Sequence, residues 1–276
     1  MGKNFLFMKY LFTTVFALLI GSTAFSQNTT LEDTRNRSST DTLTLTAGEK
    51  VKPKRRSFNN EVKLNVPSLV LGNISLQYER AFARRFSVGL GFRTGPERAL
   101  PFASSAKNLF NDDTVAQKMI DGARISNYAF TPEIRCYFGK GTMSGFYLGL
   151  FGRFGKFNLD VPFTINDASY ATGSEDVLLK GAYSYGGGGF QMGAKFNVSP
   201  RVSIDWFFFG PMVSYGTVSL EANGDFSQLT SDGKDEIIEE LGNSFGDVTV
   251  DNDRIYVTRN LPVPGIRTGL TVGFRF

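Results

Sequence analysis

The chain ends in the sequence GIRTGLTVGFRF, from Gly265 to Phe276, which alternates two kinds of side chain. One set is mostly large and apolar: Ile266, Thr268, Leu270, Val272, Phe274 and Phe276. The other set is small or basic: Gly265, Arg267, Gly269, Thr271, Gly273 and Arg275. A period of two predicts a β-strand with one apolar face. In a secreted chain, an aromatic residue closing such a strand is typical of an outer-membrane barrel, whose apolar face contacts lipid.

The other end of the chain has the pattern of a cleavable signal peptide. Lys3 and Lys9 supply a basic start, Leu11–Ile20 is apolar, and Ala24 and Ser26 are small residues that precede Gln27. The pattern predicts a signal peptide at residues 1–26, with an uncleaved anchor helix as the alternative. No cysteine lies at the predicted cleavage site, which excludes a lipoprotein. No later run approaches the ~18 apolar residues of a transmembrane helix.

A change of composition near Asn60 divides the rest. Residues 27–60 are rich in Thr, Ser, Asn and charge, which predicts a disordered periplasmic tail. The basic run Lys52–Arg56 in this tail is read as solvated, with contact to anionic headgroups or peptidoglycan as the alternative. Residues 61–276 alternate repeatedly, and we predict that they form an eight-stranded antiparallel transmembrane β-barrel.

The predicted strands are separated by turns and insertions of very different length. They are Val62–Leu71, Ile74–Phe82, Phe86–Arg93, Tyr128–Phe138, Phe146–Leu159, Tyr183–Val198, Val202–Leu220 and Pro262–Phe276. Gly72-Asn73 has the composition of a two-residue hairpin turn. Long insertions at 94–127, 160–182 and 221–261 alternate with short turns, as in outer-membrane barrels. An even strand count places both ends of the barrel on the periplasmic rim. A soluble lipocalin-like barrel is the alternative.

Composition excludes several other classes. The formal charge of +4 is too small for a nucleic-acid-binding chain, and the 14% aromatic residues and 30 glycines suit strands. The single cysteine, Cys136, cannot form an internal disulfide and falls on the outward register of the fourth predicted strand.

The segments Val62–Asn65, Gln77–Arg80 and Arg85–Gly91 carry a family resemblance. The chain from Glu61 to Phe276 resembles small uncharacterised outer-membrane β-barrel proteins of Gram-negative bacteria, similar in plan to the OmpA and OmpX barrels. The resemblance implies outer-membrane lipids and the barrel-assembly machinery as partners, the latter through the C-terminal strand and Phe276. It supplies no active-site residues. Three prolines inside predicted strands depart from an ideal barrel, and they indicate bulges or different strand limits: Pro67, Pro132 and Pro211.

The absence of histidine from the chain removes the base that outer-membrane phospholipases, lipid A deacylases and omptin proteases use. We therefore predict no enzyme, no catalytic residue, no cofactor and no metal site, and rank an enzyme of lipid chemistry last. Gly186–Gly189 lacks the Lys-Ser/Thr of a phosphate loop and is read as strand. The last insertion contains four residues with side-chain oxygens: Asp247, Asp251, Asn252 and Asp253. Their spacing does not match a calcium loop, and a plain acidic loop is preferred over a Ca²⁺ site.

Two sets of strand residues are predicted to have distinct roles. The inward register carries a lumen charge network: Lys63, Glu79, Arg93, Glu133, Arg135, Arg153, Lys195, Asp205, Arg267 and Arg275. An eight-stranded barrel holds only its own side chains, so the acids are expected to pair with the bases and fill the lumen. The outward register carries a periplasmic aromatic girdle: Phe82, Phe86, Phe138, Phe146, Phe196 and Phe276.

These predictions favour a non-enzymatic barrel with a structural or surface-interaction role. A narrow channel for small, preferentially anionic solutes is the alternative, because bases outnumber acids in the predicted lumen. The long insertions leave an unknown extracellular ligand open. Short surface helices are expected at Ala103–Ile120 and Asp232–Leu241.

Overall fold

The structure is a computed structural model that describes residues 58–101, 103–107, 114–166, 174–227 and 246–276, together with Lys234, Asp235, Ile238, Glu239 and Gly242. The predicted signal peptide and nearly all of the predicted tail lie outside these ranges. Among the described residues, no helix is both long enough and apolar enough to cross a bilayer.

The described chain consists mainly of β-strands, which we number in chain order. They are β1 (Asn60–Asn65), β2 (Ile74–Ala81), β3 (Phe86–Ala99), β4 (Arg124–Tyr137), β5 (Gly145–Asn166), β6 (Ser174–Asn197), β7 (Val202–Phe209), β8 (Pro211–Asn223), β9 (Asp247–Val250), β10 (Arg254–Ile266) and β11 (Gly269–Arg275). Three helices are described: α1 (Val66–Val70), α2 (Ala103–Lys107) and α3 (Thr114–Gly122).

The strands close into a barrel with eight strand positions. Strands β1 to β6 pair as sequential neighbours. Strand β6 then pairs with both β7 and β8, which together occupy one strand position on either side of Gly210. Strand β10 pairs with β8, and β11 pairs with β7 on one side and β1 on the other, which closes the ring. The predicted all-β, eight-stranded antiparallel barrel is therefore confirmed. We call the end that carries the short β2–β3, β4–β5 and β6–β7 connections the turn rim, and the opposite end the loop rim.

The first predicted strand is wrong beyond Asn65, because a helical turn replaces its second half. Asn65 caps α1 by accepting a hydrogen bond from the Ser68 N–H at 3.1 Å, and Pro67 lies in the first turn. Proline is well tolerated there because its missing N–H has no intrahelical partner in any case. Gly72, at φ +71°, then reverses the chain. The predicted two-residue hairpin turn, Gly72-Asn73, is thus the segment that follows the C-terminus of α1.

The other two prolines mark defects in the ladders. Pro132 pairs with Leu90 of β3, but Thr131 and Pro132 form no pairs with β5. Pro211 opens β8, directly after the break at Gly210 and beside the register shift at Met192 and Gly193 of β6. A strand start and a bulge are positions that accommodate proline, since its missing N–H removes no ladder bond there.

Several strands extend far into the predicted insertions. Strands β5 and β6 contain 22 and 24 residues, whereas about 9–11 residues cross a bilayer. The prediction of loops at 94–127, 160–182 and 221–261 is therefore wrong at their edges, where β3 to β6, β8 and β10 continue. Within the first insertion, α2 and α3 occupy parts of the predicted helix Ala103–Ile120. The predicted helix Asp232–Leu241 lies mostly outside the described residues.

The polarity of the wall inverts along these long strands. We call the part of the barrel next to the loop rim the extension. Its inward side chains form one buried apolar cluster: Ala123, Ile125, Leu159, Val161, Val177, Leu179, Tyr183, Val218, Leu220, Ala222, Phe226, Ile255, Val257 and Val263. Outward positions of the extension include the exposed Arg124 and Lys180. Nearer the turn rim the order reverses, with charged residues inward and large apolar residues exposed. The sequence analysis did not predict this apolar interior.

Candidate functional site: the buried charge network of the lumen

Glu79 is the centre of the charged lumen. It lies on the inward register of β2 and is fully buried. One carboxylate oxygen, Oε2, accepts hydrogen bonds from Lys63 Nζ at 2.5 Å and Lys195 Nζ at 3.0 Å. The other, Oε1, accepts from Ser87 Oγ at 2.5 Å and Tyr137 Oη at 2.7 Å. Both oxygens are thus satisfied by groups from four other strands.

Asp205 of β7 forms a second buried centre. Its Oδ2 accepts from Lys63 Nζ at 2.8 Å and from Arg135 Nη1 at 2.6 Å. Its Oδ1 accepts from Tyr147 Oη at 2.8 Å. The guanidinium carbon of Arg135 also lies 4.4 Å from the centre of the Tyr147 ring. Lys63 and Arg135 therefore connect the two acidic centres.

Glu133 of β4 carries the network towards the loop rim. Its carboxylate pairs with Arg135 Nε, and its Oε2 lies 3.0 Å from Arg267 Nη1. Gln191 donates to the same oxygen at 3.2 Å and accepts from Arg267 at 2.7 Å. Each predicted acid, Glu79, Glu133 and Asp205, thus lies beside at least one base. Arg153 is not among the ion-pair partners of Glu133.

The sequence analysis missed a fourth acid and two tyrosines. Glu61 of β1 is fully buried, pairs with Lys195 and accepts from Ser203 Oγ. It lies two residues before Lys63, so the period of two would have found it had the first strand begun one residue earlier. Tyr137 likewise follows Arg135 on the inward register of β4. The predicted network contained charged side chains alone, so phenolic groups were absent from it.

Two side chains lie over the charged centre at the turn rim. Met143, in the β4–β5 turn, has φ +49° and is almost fully buried beneath Tyr137, Tyr147 and Phe207. Arg275 Nη2 donates to the carbonyl oxygens of Phe58 at 3.3 Å and Thr142 at 3.2 Å. A turn side chain and a terminal arginine therefore cover the charged centre from below.

All six predicted girdle residues are exposed on the outside of the barrel and flank the turn rim. Phe82 and Phe86 stack with ring centres 6.1 Å apart across the β2–β3 turn, and Phe138 and Phe146 lie 6.0 Å apart across the β4–β5 turn. Phe196 lies near the end of β6, and Phe276 exchanges backbone hydrogen bonds with Asn60. The structure therefore places these rings around one end of the barrel.

One known family matches the part of the chain that contains much of this network. The sequence profile of DUF3575, described as a protein of unknown function, matches residues 42–210, which is more than half of the chain. The chain belongs to the DUF3575 family. The DUF3575 match covers β1 to β7 and therefore all four lumen acids, but it ends before Arg267 and Arg275. No curated protein and no solved structure matches the chain.

The charges of this DUF3575 barrel are balanced within the network. The four acids contact four bases: Lys63, Arg135, Lys195 and Arg267. Arg93 and Arg153 lie further towards the loop rim. Among the described residues, no group of three or more Cys, Asp or Glu side chains is placed to hold a metal. Every acid of the network is therefore engaged by bases, and such buried, mutually satisfied polar groups stabilise one another.

Proposed function

We propose that the chain is a non-enzymatic integral barrel of the bacterial outer membrane, with a structural or surface-interaction role. A wide belt of exposed apolar side chains around the charged part of the barrel carries the proposal. Its members include Leu76, Leu90, Phe92, Phe130, Ile134, Leu148, Leu150, Phe154, Phe190, Trp206, Val272 and Phe274. Soluble monomers rarely expose continuous apolar surface of this kind, and a soluble barrel has the opposite polarity. Lipid contact accounts for both observations.

The proposed orientation follows from the two rims. The barrel begins at Asn60 and ends at Phe276 on the turn rim, which outer-membrane barrels keep in the periplasm. The extension then projects outside the cell, where water explains its polar exterior and apolar interior. The loops that it carries are the proposed place for contact with an extracellular ligand.

Cell fractionation tests the proposed location. The full chain, produced in a Gram-negative host, should sediment with the outer membrane and resist extraction by high salt. On gels it should migrate differently before and after heating, because a closed barrel resists detergent unfolding at low temperature. Recovery as a soluble periplasmic protein would contradict the proposal and favour the lipocalin-like alternative.

Conductance measurements separate the filled barrel from a channel. In a planar bilayer, the purified wild-type barrel should give no steady open current, since the network and Met143 occupy the lumen. The channel alternative is favoured by Arg93 and Arg153, which lie beyond the balanced network. Large, stable currents that select chloride over potassium would overturn the filled-lumen proposal and support the channel.

The terminal aromatic residue provides a test of assembly. Deleting Phe276 should lower the amount of barrel in the outer membrane without reducing synthesis, because the assembly machinery is proposed to read the final strand. Pulse labelling followed by fractionation measures both quantities. The Phe276→Tyr variant, which keeps an aromatic ring, is the matched control and should insert normally. Equal amounts of barrel in the outer membrane after the deletion would show that the assembly machinery does not recognise Phe276.

A further inference from the structure

Three guanidinium groups line a small cavity between the charge network and the extension. They belong to Arg93 of β3, Arg153 of β5 and Arg267, which follows β10. The cavity has a volume of about 30 Å³. A cavity needs roughly 10–15 Å³ on this measure to hold one water molecule. There is therefore room for a group of a few heavy atoms.

Arg153 brings positive charge to the cavity that no acid of the described residues pairs with. Arg267 pairs with Glu133, which also pairs with Arg135. Among the described residues, no carboxylate lies within 4 Å of the Arg153 guanidinium. Like charges that line one cavity repel one another, and the low dielectric of a barrel interior strengthens the repulsion. A bound anion would relieve it.

A second observation also indicates a missing hydrogen-bond acceptor. Gln77 lines the same cavity from β2, and its Nε2 is buried without a hydrogen-bond partner in the described chain. A buried donor without an acceptor is costly. Hydroxyl groups of Ser75 and Thr131 complete a polar lining. Amide, hydroxyl and guanidinium donors around one space are the groups that bind an oxyanion.

We propose that this cavity is a binding site for one small oxyanion of the phosphate or carboxylate class, with Arg153 as its principal charged contact. Guanidinium suits such a ligand because its planar donors form paired hydrogen bonds with two oxygens. The volume limits the ligand to a small ion and excludes a nucleotide. The site depends on the fold alone and not on the proposed membrane location.

Thermal unfolding of the purified barrel in neutral detergent tests the proposal. The single tryptophan, Trp206, reports unfolding by its fluorescence. Titrations with potassium phosphate, potassium acetate and potassium chloride are compared at equal ionic strength. Phosphate, acetate or both should raise the Tm saturably, and chloride should not. A response to one salt alone identifies the phosphate or the carboxylate class. No saturable response to phosphate or acetate, or an equal response to chloride, would overturn the proposal.

Substitutions at Arg153 assign the effect to the cavity. Arg153→Gln should weaken the saturable response at least tenfold, since it removes the charge and the paired donors. Arg153→Lys, which keeps the charge and the folded barrel, should weaken it several-fold. Arg124→Gln, on the outer face of the extension, is the matched control and should respond like the wild type. Unchanged binding by Arg153→Lys and Arg153→Gln would place the anion elsewhere and refute the assignment.

Discussion

Replacing Glu79 with glutamine should lower the free energy of unfolding by about 3–5 kcal/mol, the cost of breaking a buried ion pair by removing one partner. The substitution keeps the size of the side chain but removes the charge that Lys63 and Lys195 share. Both ammonium groups are fully buried and cannot regain water without opening the barrel. Urea unfolding in micelles, followed by Trp206 fluorescence, measures the loss.

Two further variants make this result specific to the network. Glu97→Gln applies the same chemical change at an exposed position of β3 and should leave the stability nearly unchanged. The double substitution Glu79→Gln with Lys63→Met removes one acid and one base, which leaves three of each in the network. It should recover part of the stability lost by Glu79→Gln. A double variant that is as unstable as the sum of its two single variants would show that the charges act independently.

The Leu150→Arg substitution should destabilise the membrane-inserted barrel by about 2–4 kcal/mol, as charges on a lipid-facing wall do near the bilayer midplane. Leu150 faces outward from β5, is 64% exposed, and pairs with the outward Ile134 and Phe190. All three side chains belong to the proposed lipid belt. Unfolding of barrels refolded into vesicles measures the change.

The matched substitution is Leu178→Arg, on the neighbouring strand. Leu178 also faces outward and is 36% exposed, but it lies in the extension close to Lys180. An added charge there would meet water, so we expect a change within about 0.5 kcal/mol. Equal destabilisation at both positions would mean that the belt and the extension share one environment, contrary to the proposed boundary between them.

Alternation, together with the signal-peptide pattern and the alternating lengths of the connections, predicted the strands of the barrel. The two faces of Gly265–Phe276, for example, lie on the predicted sides of the wall, with Arg267 and Arg275 buried. Register within a strand is a local property with a period of two, which the sequence displays directly. The pairing of particular acids with particular bases is not local, because it depends on the stagger between strands.

The failures have physical causes that are visible in particular residues. The first strand was extended through Pro67 because Asn65 was read as a strand residue and not as a helix cap. The segment 160–182 was predicted to be an insertion, but Asp160 and Lys180 lie on the outward faces of β5 and β6, where charge suits a wall in water. The described ends of that segment alternate as soluble strands do, with Val161 and Leu179 inward. The prediction assumed a lipid-facing wall along the whole barrel, so it missed the change from a charged interior to an apolar interior in the extension.

The ring is closed by the first and last strands of the barrel, which are the farthest apart in the chain. Asn60 and Phe276 exchange backbone hydrogen bonds of 3.2 and 2.9 Å. Such contacts form late, because the whole intervening chain must first be organised. Glu61 and Lys63 reach their partners on β6 and β7 only when β1 docks against β11. We therefore expect drying of the interior to coincide with closure of the ring, since Lys195 and Asp205 lack these two partners until β1 and β11 pair.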